Sequence, residues 1–193
     1  RGLVVGPNGA AVPGLTVEAT GMRNLYDVAF RPETDEAWVT TNGPDTFDPY
    51  GEDTLVKADV TGDPADFGFP GCLYGREGTE VVVVDNPSGG PGACGPHTPP
   101  DQLLGLHVSA DGLAFGPDDG FWDGDLFIAE FGNFFGDQVV GHRVVRVGIE
   151  PDGTSSPPED FIVGATPLDL DFGPAGLYVA DFATGQITLY AAP

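Results

Sequence analysis

The sequence predicts an all-β fold, a β-propeller of four-stranded antiparallel blades, with about three blades present. Three observations carry this. A strand ending of the form hydrophobic-x-Phe-x-Pro occurs three times, as Val28-Ala29-Phe30-Arg31-Pro32, Leu113-Ala114-Phe115-Gly116-Pro117 and Leu170-Asp171-Phe172-Gly173-Pro174. Each copy is followed by further strand-like runs in the same order, and recurrence of one supersecondary unit is the signature of blades around an axis. Thirty glycines and nineteen prolines separate short apolar runs in a chain that is 40% hydrophobic, so they read as turns punctuating strands and not as a disordered background.

Residues 1 to 20 fit the outer strands of a preceding blade, with Leu3-Val4-Val5 and Leu15-Thr16-Val17-Glu18 on either side of a turn at Pro7-Asn8-Gly9. The first full blade runs through Val28-Ala29-Phe30, the turn Arg31-Pro32-Glu33-Thr34-Asp35, then Ala37 to Thr41 and Thr54 to Ala58, with a fourth strand read at Glu80 to Val84. Residues 62–106 form a loop-rich insertion carrying Cys72, Cys94 and His97, and a connection this long is expected to be functional or flexible. The second blade follows at Leu113 to Phe115, Leu126 to Glu130, Arg143 to Val147 and Asp160 to Val163, and the third at Leu170 to Phe172, Leu177 to Asp181 and Gln186 to Tyr190. Three blades are fewer than the usual minimum of four for a closed ring, so residues 1–193 are expected to be a single partial propeller domain, completed by a missing half or by a second chain. The start at Arg1, not Met, reads as a processing, cloning or fragment boundary.

Thirty acidic residues face six arginines and one lysine, Lys57, for a net charge of −23. A surface of that sign repels nucleic acid phosphate and anionic lipid, which argues against either as partner. No apolar run approaches the roughly 18 residues of a membrane span. A disulfide between Cys72 and Cys94 would close a loop of about twenty residues, contributing roughly 3 kcal/mol, and implies an oxidising compartment, secreted or periplasmic. There is no GxSxG elbow, no phosphate-cradling loop followed by Lys and no HExxH. Asp118-Asp119-Gly120 and Asp123-Gly124-Asp125 are explained by turn chemistry between two strands.

Ordered motifs then carry a resemblance. Gly21-Met22-Arg23-Asn24, Asn42-Gly43-Pro44, Asp66 through Cys72, Cys94 with Pro99-Pro100, His107, Gly112 through Phe115, Gly124 through Ala129 and Pro167 through Asp181 resemble, in this order, the soluble glucose and sorbosone dehydrogenases. These are six-bladed propellers that use pyrroloquinoline quinone and calcium, and the similarity corresponds to about the C-terminal half of such an enzyme. The resemblance implies oxidation of a sugar or aldose-like alcohol by hydride transfer to the quinone, with an electron acceptor beyond it and only part of the site on this chain. Arg23 and Asn24 match the cofactor-contacting pair, and a planar guanidinium suits a quinone bearing three carboxylates. Gly43 and Pro44 match carbonyl donors to calcium, a cation that prefers hard oxygens, and Asp45, Asp48, Glu52 and Asp53 could add further oxygens. Asp27 and Phe69 depart from the family pattern, and the acidic run after Asn42-Gly43-Pro44 survives only as Glu52-Asp53-Thr54-Leu55. The family's catalytic histidine belongs to the half with no counterpart here.

His107 is the remaining candidate base in a pocket, with a structural role as its alternative, while His97 reads as exposed and His142 as the start of a strand. Either Arg143 or Arg146 could pair a cofactor carboxylate, but strand alternation puts them on opposite faces. Two other readings stand beside the dehydrogenase: a non-catalytic propeller that binds a ligand or protein at its rim, and a calcium-dependent lactonase-like hydrolase.

Overall fold

The computed structural model describes residues 16–88, 94–133 and 139–193, and among these there is no helix. The runs Leu3-Val4-Val5 and Pro7-Asn8-Gly9, with Leu15, lie outside the described residues. Thr16, Val17 and Glu18 belong to no strand. The first element is β1 (Ala19–Thr20), which pairs in parallel with β5 (Ala65–Asp66).

Three antiparallel sheets form the body. The first contains β2 (Asn24–Phe30), β3 (Glu36–Asn42), β4 (Asp53–Asp59) and β8 (Gln102–Gly105), in that spatial order. The second is β9 (Ala110–Phe115), β10 (Leu126–Glu130), β11 (Arg143–Val147) and β12 (Glu159–Val163); the third is β13 (Pro167–Gly173), β14 (Gly176–Asp181) and β15 (Gln186–Tyr190). The first strand of each sheet lies against the first strand of the next, β2 on β9 and β9 on β13, as in blades that share an axis.

The expected fourth strand of the first blade at Glu80 to Val84 is corrected. Those residues lie in β7 (Glu80–Asp85), which pairs with β6 (Cys72–Glu77) across a tight turn where Gly78 takes φ 66°. This hairpin is a two-stranded sheet of its own, and the blade's fourth strand is β8, whose Leu103 and Gln102 pair with Thr54 and Leu55. A valine-rich run such as Val81 to Val84 has the composition of a strand in either place, and only the pairing partner distinguishes them.

Sheet packing follows the alternation of side chains. Trp38 and Leu55 of the first blade meet Leu113, Ile128 and Val145 of the second, and Trp38 packs edge-on to Phe115 with centroids 6.2 Å apart. On the other face of the second blade, Phe127 and Val144 meet Leu170, Leu177 and Val179 of the third. The second blade is therefore apolar on both faces. The outward face of the first blade leaves Tyr26, Val28 and Phe30 exposed, and β15 likewise leaves Ile187 and Leu189 exposed.

At the rim opposite the candidate site, Arg31 donates 2.8 Å to the Glu150 carbonyl and Lys57 donates 2.7 Å to that of Gly153, stapling two blades. The Asp119 carboxylate accepts from the Phe121 and Trp122 amides, as turn chemistry requires, whereas Asp123 and Asp125 of the second acidic turn are corrected to cross-strand partners: both pair with Arg146, and Asp125 also accepts from the Ile149 amide.

Candidate functional site

Strand register defines the rim. Asn24 pairs with Asn42, Ala110 with Glu130, and Pro167 with Asp181, so the start of each first strand and the end of each second strand share one edge of the molecule. Arg23 precedes β2 and Gly43-Pro44 follow β3, so the pairing of Asn24 with Asn42 brings the two sequence-distant motifs together. The Nη1 of Arg23 donates to the carbonyls of Asn42 (3.2 Å) and Gly43 (2.9 Å).

These residues line an open cleft, walled further by Glu52, Phe69, Cys72 and Tyr74. The β6–β7 hairpin builds one wall, with the Tyr74 carbonyl accepting from the Gly51 and Glu52 amides at 2.7 and 3.0 Å. A disulfide joins Cys72 to Cys94 across 22 residues, so one cysteine of the pair stands in the cleft wall. Glu52 is buried and paired with Arg76, and its carboxyl is raised above the usual range by burial, against the pull of the guanidinium. Arg76 also donates 2.6 Å to the Leu103 carbonyl, fastening the hairpin to the blade.

Gly43 is required by space. A Cβ there would stand 1.8 Å from the Gly51 carbonyl oxygen, so the strand end and the following loop touch through bare backbone. The Gly43 amide donates 2.7 Å to Asp53 Oδ1, and Asp53 Oδ2 accepts 3.0 Å from the Ala110 amide of the next blade. In a trans peptide, N–H and C=O point opposite ways. Holding the Gly43 N–H inward therefore turns the Asn42 carbonyl outward, toward Arg23.

Behind the rim lie three buried carboxyls. Burial pushes Asp53 up to about 6 despite its two amide donors, and pushes Asp111 up to about 6 despite hydrogen bonds from Asn42 and Ser109. Glu130 is 0% exposed; burial pushes it up to about 7 against the Arg143 guanidinium, and its Oε1 has no hydrogen-bond partner. Asn42 Oδ1 is also buried without a partner.

The predicted site residues thus separate into groups. Arg23, Gly43, Pro44 and Glu52 meet in the cleft; Asn24 opens β2 at its edge, exposed and paired with Asn42. Asp53 is not presented to the cleft, since both its oxygens are engaged inward by backbone amides. Asp45 is exposed and lies 3.6 Å from His107, whose Nε2 sits 2.9 Å from Asp48. His107 adopts φ 58° and does not line the cleft. Arg143 is held by Glu130 at 2.6 Å and Asp160 at 2.7 Å on the second blade. His97 abuts the disulfide, with Nδ1 3.4 Å from Cys72 Sγ, and His142 Nε2 lies 3.0 Å from the Asn133 carbonyl. Sequence reasoning missed Tyr74, Arg76, Asp111 and Glu130. The alternation of Cys72, Tyr74 and Arg76 along one strand was the available signal for the first two; nothing local marks Asp111 or Glu130, which are strand residues buried by the neighbouring blades.

A hard cation fits this arrangement. The carbonyls of Asn42 and Gly43 converge on the Arg23 guanidinium, and neutral backbone oxygens gathered in this way are the donors a hard cation takes.

No protein-family model and no curated protein matches the chain. Solved structures do. A calcium structure of a Trichoderma reesei carbohydrate-active enzyme of family AA12 superposes with a TM-score of 0.70 at 17% identity, covering 93% of this chain and 53% of that one. A glucose dehydrogenase superposes at 0.61 with 23% identity over 91% of this chain and 45% of the other. The PQQ-bound aldose sugar dehydrogenase of Streptomyces coelicolor does so at 0.59 with 18% identity, covering 96% and 49%. The chain has the propeller fold of the soluble quinone-dependent sugar dehydrogenases and spans about half the length of these structures.

Proposed function

We propose that this chain carries the quinone- and calcium-binding part of a sugar-oxidising dehydrogenase site. The observation that carries the reading is the meeting of the Arg23 guanidinium with the Asn42 and Gly43 carbonyls at the mouth of the cleft, on a fold shared with structures described as glucose and aldose sugar dehydrogenases. Arg23 would bind a carboxylate of the quinone, with Asn24 beside it, and the carbonyls of Gly43 and Pro44 would hold calcium. The bound pair would supply the electrophile that accepts a hydride from the sugar alcohol. The chain's own residues prepare the place: Asp53 fixes the Asn42–Gly43 peptide just before the two donors, the close Gly43–Gly51 contact packs that strand end against its loop, and Phe69 with Tyr74 give the cleft an apolar wall. His107, Asp45 and Arg143 stand on the same rim outside the cleft, and none reaches it without movement of its loop or rupture of its ion pairs.

Among the described residues no histidine lines the cleft, so the base that takes the hydroxyl proton is assigned to the other part of a completed ring, from a missing propeller half or a second chain. The same fact favours one alternative, a non-catalytic propeller that binds a ligand here. The exposed apolar chains on the first and third blades support ring completion, and the disulfide supports a secreted or periplasmic location.

Titrating pyrroloquinoline quinone into the purified chain by visible absorbance, with and without calcium, tests the site. Calcium-dependent binding with little or no dye reduction on added aldoses is expected. Absence of calcium-dependent binding refutes the reading, and robust turnover by these 193 residues refutes the assignment of the base elsewhere.

A further inference from the structure

Cations are scarce on this chain, and nearly all are spoken for. Arg31 and Lys57 pair with Glu36, Arg76 with Glu52, Arg143 with Glu130 and Asp160, and Arg146 with Asp123 and Asp125. Among the described residues Arg23 is the one arginine or lysine with no carboxylate within 4.0 Å, in a chain of net charge −23. It is exposed, and its only hydrogen-bond partners there are the carbonyls of Asn42 and Gly43, both taken by the single nitrogen Nη1. A nitrogen shared by two converging carbonyls stands where a coordinated metal ion would stand. One of these two acceptors, the Gly43 carbonyl, is also one of the two that the proposed function gives to calcium, so the guanidinium holds an oxygen the cation needs.

We infer that Arg23 and the divalent cation compete for the Gly43 carbonyl, so that the cation binds well only when an anionic ligand draws the guanidinium away. This rests on the functional reading above and adds to it an order and a coupling. Without ligand, Arg23 satisfies both carbonyls and places a positive charge against any approaching cation. A carboxylate-bearing ligand offers the guanidinium a charged acceptor in place of two neutral ones, and hydrogen bonds to an ionised acceptor are the stronger kind. The released Gly43 carbonyl then accepts the cation together with that of Pro44. Coupling of this kind is reciprocal: calcium raises the affinity for the anion by the factor by which the anion raises the affinity for calcium.

The test uses calcium chloride alone, titrated calorimetrically into wild type, Arg23→Gln and Arg23→Lys with no quinone present. Removing the charge should tighten calcium binding roughly tenfold or more, within the usual range of a coupling between sites. Arg23→Lys, which keeps the charge, should remain weaker than Arg23→Gln, and melting curves recorded alongside confirm that each variant is folded. Equal affinities of wild type and Arg23→Gln within about twofold, weaker binding by Arg23→Gln, or no calcium binding to either would overturn the inference. Quinone binding read separately keeps the two claims apart. A wild type that binds quinone with calcium, alongside an Arg23→Gln variant of unchanged calcium affinity, sinks the competition and spares the function. Tighter calcium binding by Arg23→Gln in a protein that ignores quinone does the reverse.

Discussion

Replacing Glu130 by glutamine probes the buried acid behind the rim. Its carboxyl moves from an ordinary 4.5 to about 7, chiefly by burial, so the folded chain holds this proton to higher pH than the unfolded chain does. Between those two values the native state binds more protons, and stability falls as pH rises through the window. At about 1.4 kcal/mol per pKa unit the full penalty is about 3 kcal/mol, of which about 2.5 kcal/mol develops between pH 5 and pH 8. The amide introduced by Glu130→Gln mimics the protonated acid, can still accept from Arg143, and leaves Asp160 to balance that cation. Urea denaturation at the two pH values should therefore show the variant gaining about 2.5 kcal/mol on wild type from pH 5 to pH 8, or about 5–10 °C in melting temperature for a domain of this size. Asp111 titrates in both proteins and cancels in the difference, while Asp53, whose charge is one of the smaller causes of the Glu130 shift, cancels in part. Parallel pH profiles, agreeing within about 0.5 kcal/mol, would show that the carboxyl is not held in its neutral form by burial.

Two further outcomes are expected. Gly43→Ala must displace the Gly51 backbone, so it should lose about 1–3 kcal/mol of stability and with it calcium binding, read by melting and calorimetry; an unchanged calcium affinity would remove Gly43 from the site. Substituting Ser for both Cys72 and Cys94 opens a loop of 22 residues and should cost about 3 kcal/mol in denaturant, with the cleft wall at Cys72 loosening and quinone affinity falling; a loss below about 1 kcal/mol would mean the hairpin and Arg76 hold that wall unaided.

Much of the fold is legible in the sequence because its determinants are local. β10, β11 and β15 coincide with the runs read from Leu126 to Glu130, Arg143 to Val147 and Gln186 to Tyr190, since short runs rich in apolar and β-branched residues between turn formers leave few other options. The hairpin β6–β7 and the true fourth strand β8 were not legible. Glu80 to Asp85 carries a strong strand signal and Gln102 to Gly105 a weak one, yet it is the weak one that joins the blade, because β4 offers it an open edge next to the core formed around Leu55.

The site divides along the same line. Arg23, Gly43 and Pro44 were legible as motifs, and strand pairing made their meeting predictable. The rest depended on burial. Asp45, Glu52 and Asp53 look alike as acids near one turn, but one is exposed, one faces Arg76 and one is locked between two amides of different blades.

What the sequence determined by itself is the repeating strand pattern, the charge and the cysteine pair, because each is set by neighbours along the chain. What only the tertiary structure decided is which strand finishes the first blade, which carboxyls lose their water, and that Arg23 rests on the Gly43 carbonyl, one of those expected to take a metal. Those outcomes depend on atoms brought together from distant positions, and desolvation and competition for a shared acceptor exist only once they are close.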